Sequence, residues 1–118
     1  MFLILFVLND PDQVRPVLDA WEEAGVTGVT ILHSSGLGRV RMHSGLRDDL
    51  PLMPSLESLM QHDEYFSRTL FSVVDEEKLV DRVVKATQQV VGDLMRPNTG
   101  LLMVLPILQV YGLQKHQF

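Results

Sequence analysis

The sequence predicts an α+β domain whose elements follow in the order β-α-β-β-α-β. Four apolar runs have the length of strands, two segments repeat apolar residues at helical spacing, and a long segment rich in turn residues separates the second strand from the third. The chain has 118 residues, 46% of them hydrophobic, which is enough for one core. We therefore expect a single domain over residues 1–118.

The first strand and the start of the first helix have clear local signals. Phe2 to Leu8 is a continuous apolar run, typical of a strand covered on both faces. Asp10 is a candidate N-cap, with Pro11 at the first helical position. Pro16 opposes such an early start, because a proline beyond the first turn of a helix costs about 3 kcal/mol. A helix that begins at Asp12 is the alternative.

The first helix is predicted to end at Gly25 and to bury one apolar face. That face consists of residues at helical spacing: Val14, Val17, Leu18 and Trp21. We interpret Trp21 as a core residue rather than a platform for a ligand. Val26 to His33 is rich in β-branched residues and predicts the second strand, which runs into the turn residues Ser34-Ser35-Gly36.

A long segment between Gly36 and Tyr65 contains three glycines and two prolines. Structureless loops of this length are uncommon in compact domains unless they have a function, so we interpret this segment as functional. Within it, Leu50 to Met60 is rich in leucine and methionine and can include a short helix. This stretch either docks on a partner's groove or folds over its own assembly.

The second half of the chain is predicted to form a strand, a helix and a last strand. Phe66 to Val74 predicts the third strand, and Asp75-Glu76-Glu77 opens a helix that ends at Gly92. The apolar stripe of this helix consists of Leu79, Val80, Val83, Val84, Thr87, Val90 and Val91. Leu101 to Tyr111 predicts the last strand, in which Pro106 requires a sheet edge or a bulge.

This order of elements predicts the ferredoxin-like sandwich, a four-stranded antiparallel sheet with both helices on one face. The first and last strands are apolar on both faces, whereas two helices cover only one face of a sheet. Monomers rarely expose a large apolar patch, so we expect self-association through the open face of the sheet and the last strand.

Composition and motifs exclude several classes of function. A net charge of -5 without a run of Lys and Arg argues against nucleic acid as a partner. With no cysteine and an N-terminal apolar run too short to span a bilayer, we expect a cytoplasmic protein without direct membrane insertion. We find no nucleophile with a base and an orienting acid, and no histidine pair at metal-ligand spacing, so we expect neither an enzyme nor a metal site. The polar residues interpreted as a solvated loop are His43, Asp48, Asp49, His62, Asp63 and Glu64.

The stretch from Gly25 to Thr30, followed by Gly36-Leu37-Gly38-Arg39, resembles PII signalling proteins at the point where the second strand enters their large T-loop. A weaker similarity covers most of the chain, with the T-loop-like segment at about residues 40–65. The resemblance implies the ferredoxin-like fold, a homotrimer, and adenine nucleotides (AMP, ADP or ATP) bound as ligands between subunits, with no covalent cofactor. It also implies control of a partner protein, an enzyme or a membrane transporter.

Carried over to this sequence, the resemblance implies a ligand site formed by the base of the T-loop-like segment and by the loop before the last strand. The implied site residues are Thr30, Gly36, Leu37, Gly38, Arg39, Arg96 and Gly100. The two glycines at 36 and 38 would let the backbone approach a phosphate, and Arg39 would supply charge-assisted hydrogen bonds. Arg96 would substitute for a family lysine that is missing from the loop before the last strand.

Two departures from the family limit what the resemblance implies. Val40 stands where PII proteins carry a glutamine involved in magnesium and 2-oxoglutarate binding, so we do not expect 2-oxoglutarate sensing. Gln109 and its apolar neighbours replace basic residues on the last strand. The alternatives to a nucleotide-binding regulator are therefore a trimeric scaffold without a ligand and, less favoured, a small enzyme on the same fold.

Overall fold

A computed structural model describes residues 1–36 and 66–113. It contains four strands and two α-helices in the predicted order: β1 (Phe2–Leu8), α1 (Val14–Ala24), β2 (Thr30–Ser35), β3 (Phe66–Val74), α2 (Glu77–Val91) and β4 (Leu101–Pro106). A single 3-10 turn, Pro11–Gln13, precedes α1. The predicted bounds of the first and third strands are confirmed, whereas those of the second and fourth strands are wrong.

The four strands form one antiparallel sheet in the order β2-β3-β1-β4. The register places Phe6 of β1 between Leu70 of β3 and Leu102 of β4. The two sequence-adjacent strands β2 and β3 pair directly, and β1 occupies a central position. This is the topology of the ferredoxin-like α+β sandwich, so the predicted fold is confirmed.

The first helix starts later than either predicted position. The carboxylate of Asp10 accepts a hydrogen bond from the backbone nitrogen of Asp12 at 3.0 Å, but the turn that it caps is the 3-10 turn. Regular α-helix begins at Val14, which makes Pro16 its third residue. Because the first backbone N–H groups of a helix have no partner within it, Pro16 removes no helical hydrogen bond. Gly25 ends the helix in the left-handed conformation, as predicted.

The core lies between the helices and one face of the sheet, where Ile4, Phe6 and Leu8 of β1 are buried. Trp21 of α1 is fully buried, and its ring centroid lies 6.5 Å from that of Phe6 in a tilted arrangement. Its indole nitrogen donates a hydrogen bond to the hydroxyl of Thr87 on α2. The prediction that Trp21 belongs to the core is confirmed.

The second strand begins four residues after its predicted start at Val26. The ladder between β2 and β3 starts where Thr30 pairs with Phe71. Before that point, the hydroxyl of Ser72 donates a hydrogen bond to the backbone oxygen of Gly28. A side chain therefore takes the place of a ladder partner, and Val26 is buried outside the sheet.

The last strand ends at Pro106 rather than at Tyr111. Proline has no backbone N–H to donate, and β4 is an edge strand, as this proline requires. The backbone nitrogen of Ile107 still donates to the oxygen of Met1 at 3.1 Å, after which the chain leaves the ladder.

The second helix buries Val80, Val83 and Thr87 from its predicted stripe. Glu76 occupies the N-cap position, but its side chain makes no capping hydrogen bond. Gly92 ends the helix at a positive φ of 92°, as predicted.

The face of the sheet opposite the helices is called the open face here. Strand alternation and register assign to it an apolar set from all four strands: Leu3, Leu5, Val7, Leu32, Phe71, Val73, Leu101, Met103 and Leu105. Leu101 and Leu105 are 56% and 43% exposed. The predicted open apolar face is therefore present in the folded chain.

Candidate functional site

Two of the predicted site glycines lie at the same end of the sheet. Gly36 directly follows β2, and Gly100 directly precedes β4. Because neighbouring strands are antiparallel, the end of β2 and the start of β4 share one end of the sheet, which is called the loop end here. The predicted residues Leu37, Gly38 and Arg39 lie outside the described residues.

The same two glycines belong to opposite edges of that end. β3 and β1 lie between β2 and β4, and neighbouring strands are 4.7–4.9 Å apart, so Gly36 and Gly100 are separated laterally by about 14 Å. One copy of the chain therefore does not bring the two predicted halves of the site into contact.

Thr30 lies at the other end of β2, which is called the far end here. It pairs with Phe71 and is exposed. At about 3.3 Å per residue, the six steps of extended chain from Thr30 to Gly36 span about 20 Å. A ligand that contacts both residues has to extend over this length of β2.

Gly100 is required by the packing of the loop before β4. Its φ is 131°, and a Cβ atom at this position would lie 2.6 Å from Cε1 of Phe6 and 2.7 Å from the backbone oxygen of Val7. Both distances are too short for any other residue without movement of the core. The conformation of this loop is thus tied directly to the buried ring of Phe6.

Arg96 sits on a loop whose backbone is well ordered by hydrogen bonds. Its nitrogen donates to the oxygen of Asp93 at 3.0 Å, and its oxygen accepts from the hydroxyl of Thr99 at 2.8 Å. Asn98 adds a left-handed turn, with a φ of 68°. The Arg96 side chain is exposed, and no residue in the described ranges engages its guanidinium. Its charge is therefore available to an anion at the loop end.

A groove at the far end adjoins Thr30. It has a volume of about 610 Å³ and is called the far-end groove here; its lining residues are Leu18, Glu22, Gly25, Val26, Thr27, Gly28 and Val29. This volume is in the range of small-molecule sites. The groove was not predicted from the sequence, since it arises where β2 starts late and leaves residues 25–29 against α1.

The sequence model of the nitrogen regulatory protein P-II family matches residues 2–117. The chain belongs to this family. The match agrees with the resemblance found at Gly36-Leu37-Gly38-Arg39 and with the ferredoxin-like topology. The chain is therefore a PII-like regulatory protein. No curated protein matches it.

The open face of this P-II family member also carries a polar cluster that sequence analysis missed. The hydroxyl of Ser34 lies 2.8 Å from that of Ser67 and 2.9 Å from that of Thr69. The three side chains belong to β2 and β3 and satisfy one another. Such a cluster can be covered by another surface without leaving a buried polar group unpaired.

Among residues 1–36 and 66–113, no group of three or more acidic or histidine side chains is arranged to hold a metal ion. The acidic and histidine residues of the predicted polar loop lie outside these ranges. Within the same described part of the P-II chain, no helix is both long and apolar enough to cross a bilayer.

Proposed function

We propose that this P-II family member is a cytoplasmic homotrimeric regulator that binds an adenine nucleotide between its subunits. AMP, ADP and ATP are the candidate ligands. The ligand acts by changing the segment of residues 40–65, through which the trimer controls a partner protein, an enzyme or a membrane transporter. A ligand shifts such an equilibrium only through different affinities for the two states.

The observation that carries this proposal is the separation of Gly36 from Arg96 and Gly100. The two halves of the site occupy the same end of the sheet but opposite edges. A ring of copies, each with its β2 edge beside the β4 edge of the next, joins the halves that one chain holds apart. Copies in such a ring are related by rotation about one axis. The loop ends of all copies therefore lie at the same height along that axis.

The open face supports the ring as well. Its apolar residues include Met103 at 39% exposure and Leu105 at 43%, and burial of apolar surface stabilises an assembly by about 25 cal/mol per Å². The Ser34 hydroxyl cluster on the same face is internally paired. The open face can therefore be buried between copies at little polar cost.

The nucleotide is proposed to lie along the β2 edge of one copy, between it and the β4 edge of the adjacent copy. Thr30 is available at the far end, and the phosphates meet the loop end at Gly36 and Arg39, where Arg96 of the adjacent copy adds positive charge. The span of about 20 Å between Thr30 and Gly36 accommodates an extended ligand.

The first test is thermal unfolding with AMP, ADP, ATP, cyclic AMP and 2-oxoglutarate. A ligand that binds only the folded state stabilises it by about 2.7 kcal/mol at a hundredfold excess over its dissociation constant. We expect one adenine nucleotide to raise the Tm and 2-oxoglutarate alone to leave it unchanged.

Arg39→Ala is expected to abolish that shift while leaving the trimer mass intact in light scattering. Lys78→Ala is the matched control, because Lys78 is exposed in the first turn of α2, which follows β3 at the far end. An unchanged nucleotide response in the Arg39 variant removes this residue from the site.

A trimeric scaffold without a ligand is the second candidate. It is favoured by the loop before β4, in which Arg96 and Pro97 lead to Gly100 without a lysine. A Tm that responds to none of the nucleotides, together with a trimeric mass, would favour this function over nucleotide sensing.

A further inference from the structure

The far-end groove has one acidic wall, formed by the last turns of α1. Glu22 lines the groove, and its neighbours Asp19 and Glu23 are exposed on the same part of the helix. Arg15, the only basic residue of α1, lies about two turns before Glu22. The last turn contains no basic residue, so nothing there offsets the negative end of the helix dipole. This wall therefore attracts a positively charged group.

The carboxylate of Glu22 is available to such a group. Within residues 1–36 and 66–113, no side chain forms an ion pair or a hydrogen bond with it. The carboxylate also adjoins apolar surface, because Leu18, Val26 and Val29 line the same groove. A ligand with both an apolar part and a basic group satisfies both features at once.

The opposite wall of the groove is a stretch of backbone that lies outside the sheet. Thr27 and Gly28 are exposed and precede the start of β2 at Thr30. Among the described residues, neither makes a backbone–backbone hydrogen bond, and only the oxygen of Gly28 has a partner, the hydroxyl of Ser72. The N–H and carbonyl groups of Thr27 are therefore free to pair with an extended chain, as free strand edges do in peptide recognition.

The groove is separate from the proposed nucleotide site. Thr30 pairs with Phe71, whose side chain belongs to the open face. Leu18 and Glu22 belong to α1, which covers the other face of the sheet. An occupant of the groove therefore lies on the helix side, which is not the side that the open faces bury in the proposed ring.

We propose that the far-end groove docks an extended peptide segment of a partner protein, in which an apolar side chain stands next to a lysine or an arginine. The apolar side chain packs against Leu18 and Val29, and the basic group pairs with Glu22. The backbone of the peptide forms hydrogen bonds with Thr27. The chain thereby has a docking surface for partners that depends neither on residues 40–65 nor on a nucleotide.

The test is the selection of random short peptides, displayed on phage, that bind the wild-type protein. We expect the selected peptides to have an apolar residue next to lysine or arginine. In fluorescence anisotropy, the Glu22→Lys variant should bind them at least about tenfold more weakly, because a close charge pair becomes a repulsion. The Glu22→Gln variant, which only removes the charge, should weaken binding less. Methylation of the peptide's backbone nitrogens should also weaken binding, since it removes donors to the groove.

The matched control is Asp81→Lys, which makes the same change of charge on α2. A Cβ atom at Gly25 would lie 3.3 Å from Cδ1 of Leu79, so the Leu79 side of α2 faces this end of α1. Asp81 is exposed two residues further, on the opposite side of the helix. This variant should bind the peptides as the wild type does.

Three results overturn the inference. The first is selection of acidic or purely apolar peptides, and the second is equal binding to the wild type and to Glu22→Lys when circular dichroism shows that both are folded. The third is displacement of the peptides by phenethylamine at the same concentration, which would assign the groove to small organic cations. None of these results depends on whether a nucleotide raises the Tm, so this inference and the proposed function fail separately.

Discussion

The indole nitrogen of Trp21 donates a 2.8 Å hydrogen bond to the hydroxyl of Thr87, which joins α1 to α2 inside the core. Both side chains are fully buried. Thr87 in turn donates to the backbone oxygen of Val83 at 2.7 Å. The hydroxyl thus serves as acceptor and donor at once, and it allows a tryptophan to be buried without an unpaired N–H.

Thr87→Val is expected to destabilise the fold by about 1–3 kcal/mol, because it leaves the buried indole N–H of Trp21 without a partner while keeping the side-chain volume. Urea unfolding followed by fluorescence measures the loss, and Trp21 is the only tryptophan. Thr87→Ser keeps the hydroxyl and controls for the methyl group. Equal stability of the valine variant and the wild type would contradict the assigned hydrogen bond.

Gly100→Ala is expected to lower the free energy of unfolding by about 1–3 kcal/mol. A φ of 131° is strained for residues other than glycine, and the new Cβ would also meet the ring of Phe6. The urea midpoint measures this change. Gly28→Ala is the matched control, since nothing lies within 4 Å of its added Cβ. A loss of stability at Gly28 as large as that at Gly100 would refute the steric explanation.

Asp10→Ala is expected to cost about 0.5–2 kcal/mol, the usual range for loss of a capping side chain. The carboxylate of Asp10 accepts from the nitrogen of Asp12 and orders the turn that leads into α1. Asp10→Asn retains an acceptor and should preserve most of the stability in the same unfolding measurement. A full loss in the asparagine variant would show that charge, rather than the cap, is what matters.

The elements that sequence analysis located well are those with local signals. β1 is a continuous apolar run, and Gly25 and Gly92 end their helices with backbone conformations that glycine adopts readily. Tertiary contacts explain the errors. Val26 has strand propensity, yet the hydroxyl of Ser72 takes the place of a ladder partner at Gly28, so β2 begins at Thr30.

The candidate site was predictable as a set of residue types but not as an arrangement. Sequence analysis grouped Thr30 with Gly36 and Gly100, whereas the fold places Thr30 at the opposite end of β2 and Gly100 at the opposite edge of the sheet. The order of elements predicted the topology, but the distances between these residues also depend on the register of pairing between distant strands, which no local pattern encodes. The far-end groove escaped prediction for the same reason, because it depends on where β2 joins the ladder.

Met103→Glu is expected to convert the proposed trimer to monomers. Met103 lies opposite Leu5 on the open face and is 39% exposed, so a glutamate there leaves the monomer's core intact. In an assembly through this face, the same glutamate is an unpaired charge among apolar side chains, and burying it is strongly unfavourable. Light scattering measures the mass, and circular dichroism checks that the monomer is folded. Lys85→Glu on the exposed side of α2 is the matched control for added negative charge. An unchanged trimeric mass in the Met103 variant would place the subunit contacts elsewhere than on the open face.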